Sequence, residues 1–193
     1  MKKSIILIAI LVIAAFWGVG LYNGLVNSDE TVSNAWAKVE SDYQRRADLI
    51  PNLVETVKGY AAHEKETYQA VVEARANATK VQLNVDELTE ENLQKFQAAQ
   101  SELNSALSRL IAVSENYPEL KANENFLELQ AQLEGTENRI KESRNAFNDA
   151  VKEYNVKVRK FPNNIVASIM GFDKKAAFKA AEGSDKAPTV DFN

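Results

Sequence analysis

The sequence predicts an all-α protein in which an N-terminal transmembrane helix precedes an elongated antiparallel up-and-down helical bundle. An uncharged apolar run covers residues 5–22. Apolar residues then recur at alternating steps of three and four, the spacing of helices packed nearly parallel to one another, and no stretch shows the alternation of a strand. We expect three long helices and a short fourth, with an anchor and short juncture at 1–28, a bundle domain at 29–179 and a C-terminal tail at 180–193.

The apolar run has the length of a membrane-spanning helix. At 1.5 Å per residue it covers about 27 Å, close to the roughly 30 Å hydrocarbon core of a bilayer. Lys2 and Lys3 precede it, and lysine-rich flanks favour the cytoplasmic side. We therefore expect a single-pass protein of the cell (inner) membrane, with its N-terminus cytoplasmic and its bundle outside. The residues predicted to span the bilayer include Ile5, Leu7, Leu11, Phe16, Trp17 and Tyr22.

A cleavable secretory signal is the alternative interpretation of this run, since it begins with a basic pair and contains small residues. Signal cores usually have about 7 to 15 apolar residues, whereas this run continues through Phe16, Trp17 and Tyr22. A retained anchor is therefore favoured. Gly20 and Gly24 have the GxxxG spacing that lets two membrane helices approach, which points to self-association.

The first long helix is predicted from Val32 to Ala78. Its apolar stripe stays in phase through Pro51, so we expect a helix kink or a tight restart there rather than a reversal of the chain. A proline inside a helix costs about 3 kcal/mol, and the cost falls if Asp48 caps a restarted helix. A junction between two helical segments is the favoured interpretation of Pro51, and a ligand site is the alternative.

Two further long helices follow. The stripe is lost at 81–91 and then resumes as far as about Tyr117. The last long helix begins by Asn123 and reaches Phe161, on apolar residues again spaced three and four apart.

A short helix then begins after 162–164 and ends at Gly171. Together with Phe172 and Phe178 it either closes the end of the bundle, which is favoured, or forms a detachable amphipathic element that touches membrane or a partner. From about Ala180 onward we expect disorder, because small, charged and turn-forming residues mix there without a period.

The composition excludes several kinds of site. The chain has no cysteine and one histidine, His63, so thiolate chemistry and a multi-histidine metal site are impossible within one chain. A zincin would need a second histidine where Thr67 stands. The net charge of -4, without a basic stripe, is unlike that of a nucleic-acid-binding protein. We expect no enzyme activity, no cofactor, no metal and no nucleic-acid partner.

Polar residues lie on or beside the apolar stripes of the first and last long helices. They are Arg45, Arg46, Asp48, Asn52 and Glu64 on the first, and Glu134, Glu137, Asn138 and Arg144 on the last. A charge buried alone costs several kcal/mol, so those that are buried should be paired across helices. A structural polar layer that fixes helix register is favoured, and a polar pocket for a small ligand is the alternative.

Four stretches of the chain together resemble one family. They are "RRADLIPNLVETVKGYAAHE", "YPELKANENFLELQAQLEGTENRI", "YNVKVRKFPNNIVASIMGF" and the terminal "APTVDF". By these stretches the chain resembles the LemA family of bacterial membrane proteins over the anchor and nearly the whole body. The resemblance implies a single N-terminal membrane segment, an up-and-down helical bundle and no established catalytic activity. It also implies a membrane-shaping or assembly role, because relatives include a protein needed to build magnetosome membranes.

We therefore expect a non-enzymatic single-pass membrane protein whose bundle self-associates to organise or shape membrane. Its partners would be membrane lipid and further copies of itself. The alternative is a membrane-tethered sensor or adaptor whose bundle binds a small molecule or an unidentified partner protein in envelope stress or signalling. Fold and family do not choose between these two functions.

Overall fold

The computed structural model describes residues 2–179, except for the side chains at 2–5, 7, 9–11 and 14. Every regular element within them is helical, which confirms the all-α prediction. The helices are α1 (Lys2–Tyr60), α2 (Lys65–Lys80), α3 (Glu90–Val113), α4 (Pro118–Lys121), α5 (Glu124–Arg159) and α6 (Asn163–Met170), with short 3-10 helices at Val85–Glu87 and Ser114–Asn116.

Helix α1 is 59 residues long and passes through Pro51 without interruption. Proline has no N–H to donate, so the carbonyl of Ala47, four residues earlier, receives no helical hydrogen bond. Arg75 of α2 supplies the missing donor, with its Nε 2.7 Å from the Ala47 oxygen. The predicted tight restart, a junction between two helical segments at Pro51, is therefore wrong, because α1 is continuous there and a neighbouring helix pairs the carbonyl that the proline leaves free. The predicted helix kink at Pro51 stays a prediction.

The chain reverses at 61–64, between α1 and α2. The single helix predicted over 32–78 is thus two antiparallel helices. The apolar spacing keeps its phase across the turn because α1 and α2 bury their apolar residues in the same core. The positions in between, Tyr60, Glu64 and Thr67, are exposed or partly exposed. Four helices, α1, α2, α3 and α5, therefore form the body, rather than three long helices with α6 as the fourth.

Helices α1 and α5 run antiparallel along most of their length. Three polar contacts join them or the start of α5: the Lys157 Nζ donates to the Gly24 carbonyl at 2.6 Å, Arg46 meets Glu137 at 2.6 Å, and the amide of Asn123 donates to the Tyr60 hydroxyl at 2.9 Å. The residue numbers of the contacts fall from 157 to 123 on the α5 side as they rise from 24 to 60 on the α1 side, so the two helices are antiparallel. The topology is up-and-down, as predicted.

Two apolar clusters fill the interior. The first joins α1 to α5, α6, the start of α3 and the segments that flank the 3-10 helix Val85–Glu87. Its centre is Trp36, whose indole N–H donates to the Leu83 carbonyl at 2.8 Å. The second lies at the other end, among α1, α2, α3 and α5. Its members include Ile50, Leu53, Val57, Val71, Leu103, Leu110, Phe126 and Leu133.

The chain beyond α6 is extended and packs along α5. The side-chain amide of Asn155 pairs with both the N–H and the C=O of Lys175, and Asn148 pairs in the same way with Phe178. The spacing fits, because seven helical residues and three extended residues each span about 10 Å. The Phe178 ring is buried within 6.0 Å of Trp36. This segment closes the end of the bundle; the predicted tail from Ala180 lies outside the described residues.

The N-terminal part of α1 precedes the core. Among the described side chains, Leu25 is the first that is buried. Among the described residues, no helix has the length and apolarity needed to cross a bilayer. The side chains of Ile5, Leu7 and Leu11 lie outside the described residues, and the predicted membrane-spanning segment stays a prediction.

Candidate functional site

A buried arginine lies at the middle of the bundle, where the two apolar clusters meet. Arg46 is 2 % exposed. Its Nη1 donates to the Glu137 carboxylate of α5 at 2.6 Å, and its Nη2 donates to the side-chain oxygen of Gln100 on α3 at 2.6 Å. The guanidinium also stacks 5.1 Å from the centre of the Tyr43 ring. One cation thus links α1, α3 and α5 at a single level.

Two of the buried polar atoms at this level have no protein partner. They are the Nε of Arg46 and the Oδ2 of Asp42, one turn earlier on α1. Buried polar groups in native proteins are usually paired, with water or a ligand where protein groups are lacking. Burial raises the pKa of the Tyr43 phenol, against the opposite effect of the Arg144 and Arg46 guanidiniums.

The structure separates the residues predicted as a polar layer. Only Arg46 and Glu137 contact one another. Arg144 lies over the Phe178 ring at 4.4 Å, and Glu64 accepts a hydrogen bond from the Tyr117 hydroxyl at 3.2 Å, at the far end of the bundle. The remaining residues, Arg45, Asp48, Asn52, Glu134 and Asn138, are exposed. Asp48 accepts from the Gln44 amide rather than capping a helix.

Sequence reasoning missed Gln100 and Asp42. Gln100 had a detectable signal, because it lies four residues after Phe96 and three before Leu103, at a position of the α3 stripe where the pattern calls for an apolar side chain. Asp42 had a weaker one, being four residues before Arg46 and therefore on the same side of the helix.

A cavity adjoins this level between α1, the end of α2 and α3. It has a volume of about 320 Å³, and its walls include Glu40, Tyr43, Gln44, Thr79 and Gln100. Burial raises the pKa of the Glu40 carboxyl above its ordinary 4.5. Arg46 does not line the cavity, but two residues that contact it, Tyr43 and Gln100, do. A molecule in the cavity would therefore reach Arg46 and its partners Gln100 and Glu137, which we term the arginine layer, only through these two residues.

The described residues do not form a metal-binding cluster. No group of three or more His, Cys, Asp or Glu side chains among them is placed to hold a metal ion. His63, the one histidine, is exposed in the turn between α1 and α2. The arginine layer can fix the axial register of α1, α3 and α5, because its ion pair and hydrogen bonds form only when the three helices are correctly aligned.

Comparison with known proteins matches the chain to one family. The LemA family profile matches residues 35–192. Protein LemA from Metamycoplasma hominis is 26 % identical over 183 residues, covering 94 % of this chain and 80 % of that protein. Magnetosome protein MamQ 2 from Paramagnetospirillum magneticum is 25 % identical over 201 residues, covering 94 % and 74 %. Magnetosome protein MamQ from Magnetospirillum gryphiswaldense is 24 % identical over 181 residues, covering 85 % and 66 %.

Proposed function

The chain belongs to the LemA family, and on that premise we propose that it is a non-enzymatic, single-pass membrane protein whose helical bundle self-associates to organise or shape membrane. The proposal places its N-terminus in the cytoplasm and its bundle outside, by the charge bias of Lys2 and Lys3. Similarity to proteins named as magnetosome proteins supports this proposal.

The observation that carries the proposal is the exposed apolar surface of α1 ahead of the core. Large apolar side chains there are mostly more than half exposed: Ile6, Ile8, Val12, Ile13, Phe16, Trp17, Val19 and Tyr22. Burying such a side chain contributes about 1.5–3 kcal/mol. Transfer of this whole surface from water to an apolar phase would therefore contribute on the order of 10 kcal/mol. A domain's whole stability is about 5–15 kcal/mol. A bilayer would bury this surface.

This segment and the bundle share one continuous helix. Helix α1 runs without a break from Lys2 to Tyr60. At Gly24, α1 contacts α5, because the Lys157 Nζ donates to the Gly24 carbonyl. A Cβ added at Gly24 would lie 3.5 Å from the Lys157 Cε. The face of the GxxxG pair at Gly24 is therefore occupied within the chain, whereas Gly20 has open space beside it. Gly20 supports close approach of a second anchor helix.

Membrane anchoring is tested with Ile13→Lys in the full-length chain. A lysine at the centre of a spanning helix costs about 2.5–3.5 kcal/mol, so we expect the protein to be released from membranes by alkaline carbonate, whereas the wild type stays. Glu119→Lys, at the exposed far end, is the matched control. Equal retention of the wild type, Ile13→Lys and a variant lacking residues 1–22 would contradict anchoring.

Self-association is tested with single cysteines, which are unique because the chain has none of its own. In membranes, Val19→Cys should give disulfide-linked dimers on mild oxidation, while Glu119→Cys should not. Imaging of the protein in vesicles should then show clusters and altered membrane curvature. A protein that remains monomeric and evenly spread on undeformed vesicles would overturn the shaping function.

A second candidate function is that of a membrane-tethered sensor or adaptor. The cavity of about 320 Å³ beside the arginine layer favours it, since small-molecule sites begin near about 300 Å³. Ligand binding to the native state raises thermal stability. In a thermal-shift screen of small polar molecules, a hit should stabilise the wild type and not Ser41→Trp, which fills the cavity mouth. If no molecule stabilises the wild type more than Ser41→Trp, the sensor or adaptor function is contradicted.

A further inference from the structure

Helix α6 presents its apolar side chains outward. Only Ala167 is buried against the core, with Val166 partly buried beside it. Ile165 and Ile169, one turn apart, are 52 % and 74 % exposed, and Met170 is 58 % exposed. A surface helix normally turns its apolar stripe inward and its polar residues to solvent. A contiguous apolar surface on the outside of a helix marks a contact with another phase or another molecule.

The apolar surface extends beyond the helix. Phe161, at the turn before α6, is 75 % exposed. Together with Ile165, Ile169 and Met170 it forms what we term the end patch. The exposed polar residues of α6, Asn164 and Ser168, carry no charge.

The end patch lies where α1 leaves the core. Helix α6 packs against both α1 and α5. Phe172, two residues after the end of α6, meets the ring of Tyr22 edge-to-face, with the ring centres 5.8 Å apart. Tyr22 belongs to the last turn of the apolar run. The end patch is thus continuous with the level at which the proposed anchor emerges from a bilayer.

Positive charge surrounds the end patch. Arg159 and Lys160 are exposed immediately before Phe161, and Lys174 is exposed after α6. Lys175 is paired with Asp29 at 3.0 Å, and the exposed Asp173 offsets one of the other charges. Basic residues close to an anionic membrane surface are attracted to it electrostatically. An apolar patch with a basic rim has the chemistry of a helix that lies in a membrane interface.

We propose that the end patch is a second lipid contact, lying in the headgroup region of the same bilayer that holds the anchor and preferring anionic lipid. This rests on the proposed function, because the anchor sets the distance of α6 from the membrane. The lipid surface is favoured over a second protein copy by the basic rim and by the position beside Tyr22. The contact would set the tilt of the bundle, since it adds a second point of attachment beside α1.

The test uses the full-length protein in vesicles, with a single environment-sensitive fluorophore on Ile169→Cys. Vesicles contain either phosphatidylcholine alone or phosphatidylcholine with a quarter phosphatidylglycerol. We expect blue-shifted emission and several-fold stronger quenching by a bilayer nitroxide lipid than for the matched control Glu119→Cys at the other end. The difference should grow with phosphatidylglycerol. The double variant R159E/K160E should remove that growth, whereas R139E/K141E, at exposed sites along α5, should not.

Labelled Ile8→Cys, in the anchor, separates this proposal from the proposed function. If Ile8→Cys is quenched by the nitroxide lipid while Ile169→Cys is as open to aqueous iodide as Glu119→Cys, the end patch proposal is overturned and the anchor stands. If neither position is quenched by the lipid, both proposals fall. Shielding of Ile169→Cys from iodide without quenching by the nitroxide would show that protein covers the patch, which also overturns the proposal.

Discussion

Arg46 and Glu137 form a 2.6 Å ion pair whose two members differ sharply in exposure, since the guanidinium side chain is 3 % exposed and the carboxylate side chain 42 %. The pair is therefore asymmetric. Removing the carboxylate leaves a charge in the core, whereas removing the arginine leaves a glutamate that water already reaches.

This asymmetry predicts unequal effects on stability. Glu137→Ala should lower the free energy of unfolding by about 2–4 kcal/mol, because breaking a pair so that a buried charge loses its partner is costly. Arg46→Met should cost less, since methionine refills the space and leaves no buried charge. Denaturant unfolding at neutral pH measures both. An Arg46→Met protein that is less stable than Glu137→Ala would contradict this account.

The hydrogen bond from Arg75 to the Ala47 carbonyl predicts a coupling to Pro51. Arg75→Met should cost about 1.5–2 kcal/mol, because a charge-assisted hydrogen bond is lost and a carbonyl stays unpaired. In the Pro51→Ala background the new backbone N–H can donate to Ala47, so the same change should cost clearly less. A double-mutant cycle by denaturant unfolding measures the difference. Arg109→Met, at an exposed site on α3, is the control; equal costs in both backgrounds would refute the coupling.

The two asparagines of α5 should hold the extended C-terminal segment in place. Asn148→Ala and Asn155→Ala each remove two hydrogen bonds to its backbone, at about 1 kcal/mol per bond. Amide hydrogen exchange at 172–178 should accelerate by one to two orders of magnitude in either variant. Asn145→Ala, at an exposed site on the same helix, should leave that exchange unchanged. Unaltered protection in both variants would mean that Phe178 alone anchors the segment.

Tyr154 predicts how stability depends on pH in the alkaline range. Burial, with the nearby Asp29, Asp173 and Asp86, raises the pKa of its phenol from 10.0 to about 12. Between these two values the unfolded chain has lost the proton that the folded chain keeps. The free energy of unfolding therefore falls as pH rises from 10 to 12.

Alkaline titration of tyrosine absorbance checks this expectation. Tyr154→Phe should remove the last of the 6 tyrosines to ionise, and the loss of stability above pH 10 should become shallower. Tyr68→Phe, a partly exposed tyrosine on α2, is the control. A Tyr154→Phe titration that superimposes on the wild type would show that the phenol is not perturbed.

The helix periodicity predicted most of the fold, because the apolar stripes at 96–117 and 126–161 are long and regular. It failed at the turn after Tyr60, since two helices that bury the same face can keep one phase through a reversal. Pro51 misled the prediction for a related reason. Whether a helix tolerates proline depends on a donor such as Arg75, which reaches Ala47 only after the chain folds back.

The arginine layer was predictable only in part. Arg46 and Glu137 lie beside stripes, and charge pairing required a partner for each if buried. Their neighbours Arg45 and Asn138 are also polar but are exposed to solvent. The apolar stripe alone does not resolve this difference of one position along the helix. The Asn148 and Asn155 contacts depend on a segment without any period, so no pattern in the sequence indicates them.

The unbroken course of α1 has a mechanical consequence. If a bilayer holds the first turns of α1 as proposed, the bundle continues its anchor without a break in the helix, so a sideways push on the far tip near Glu119 acts as a lever on the anchored end. Residues 25–60 of α1 extend over about 54 Å at 1.5 Å per residue, against roughly 30 Å for the hydrocarbon core of a bilayer, so on that proposal a small force at the tip produces a large torque at the membrane.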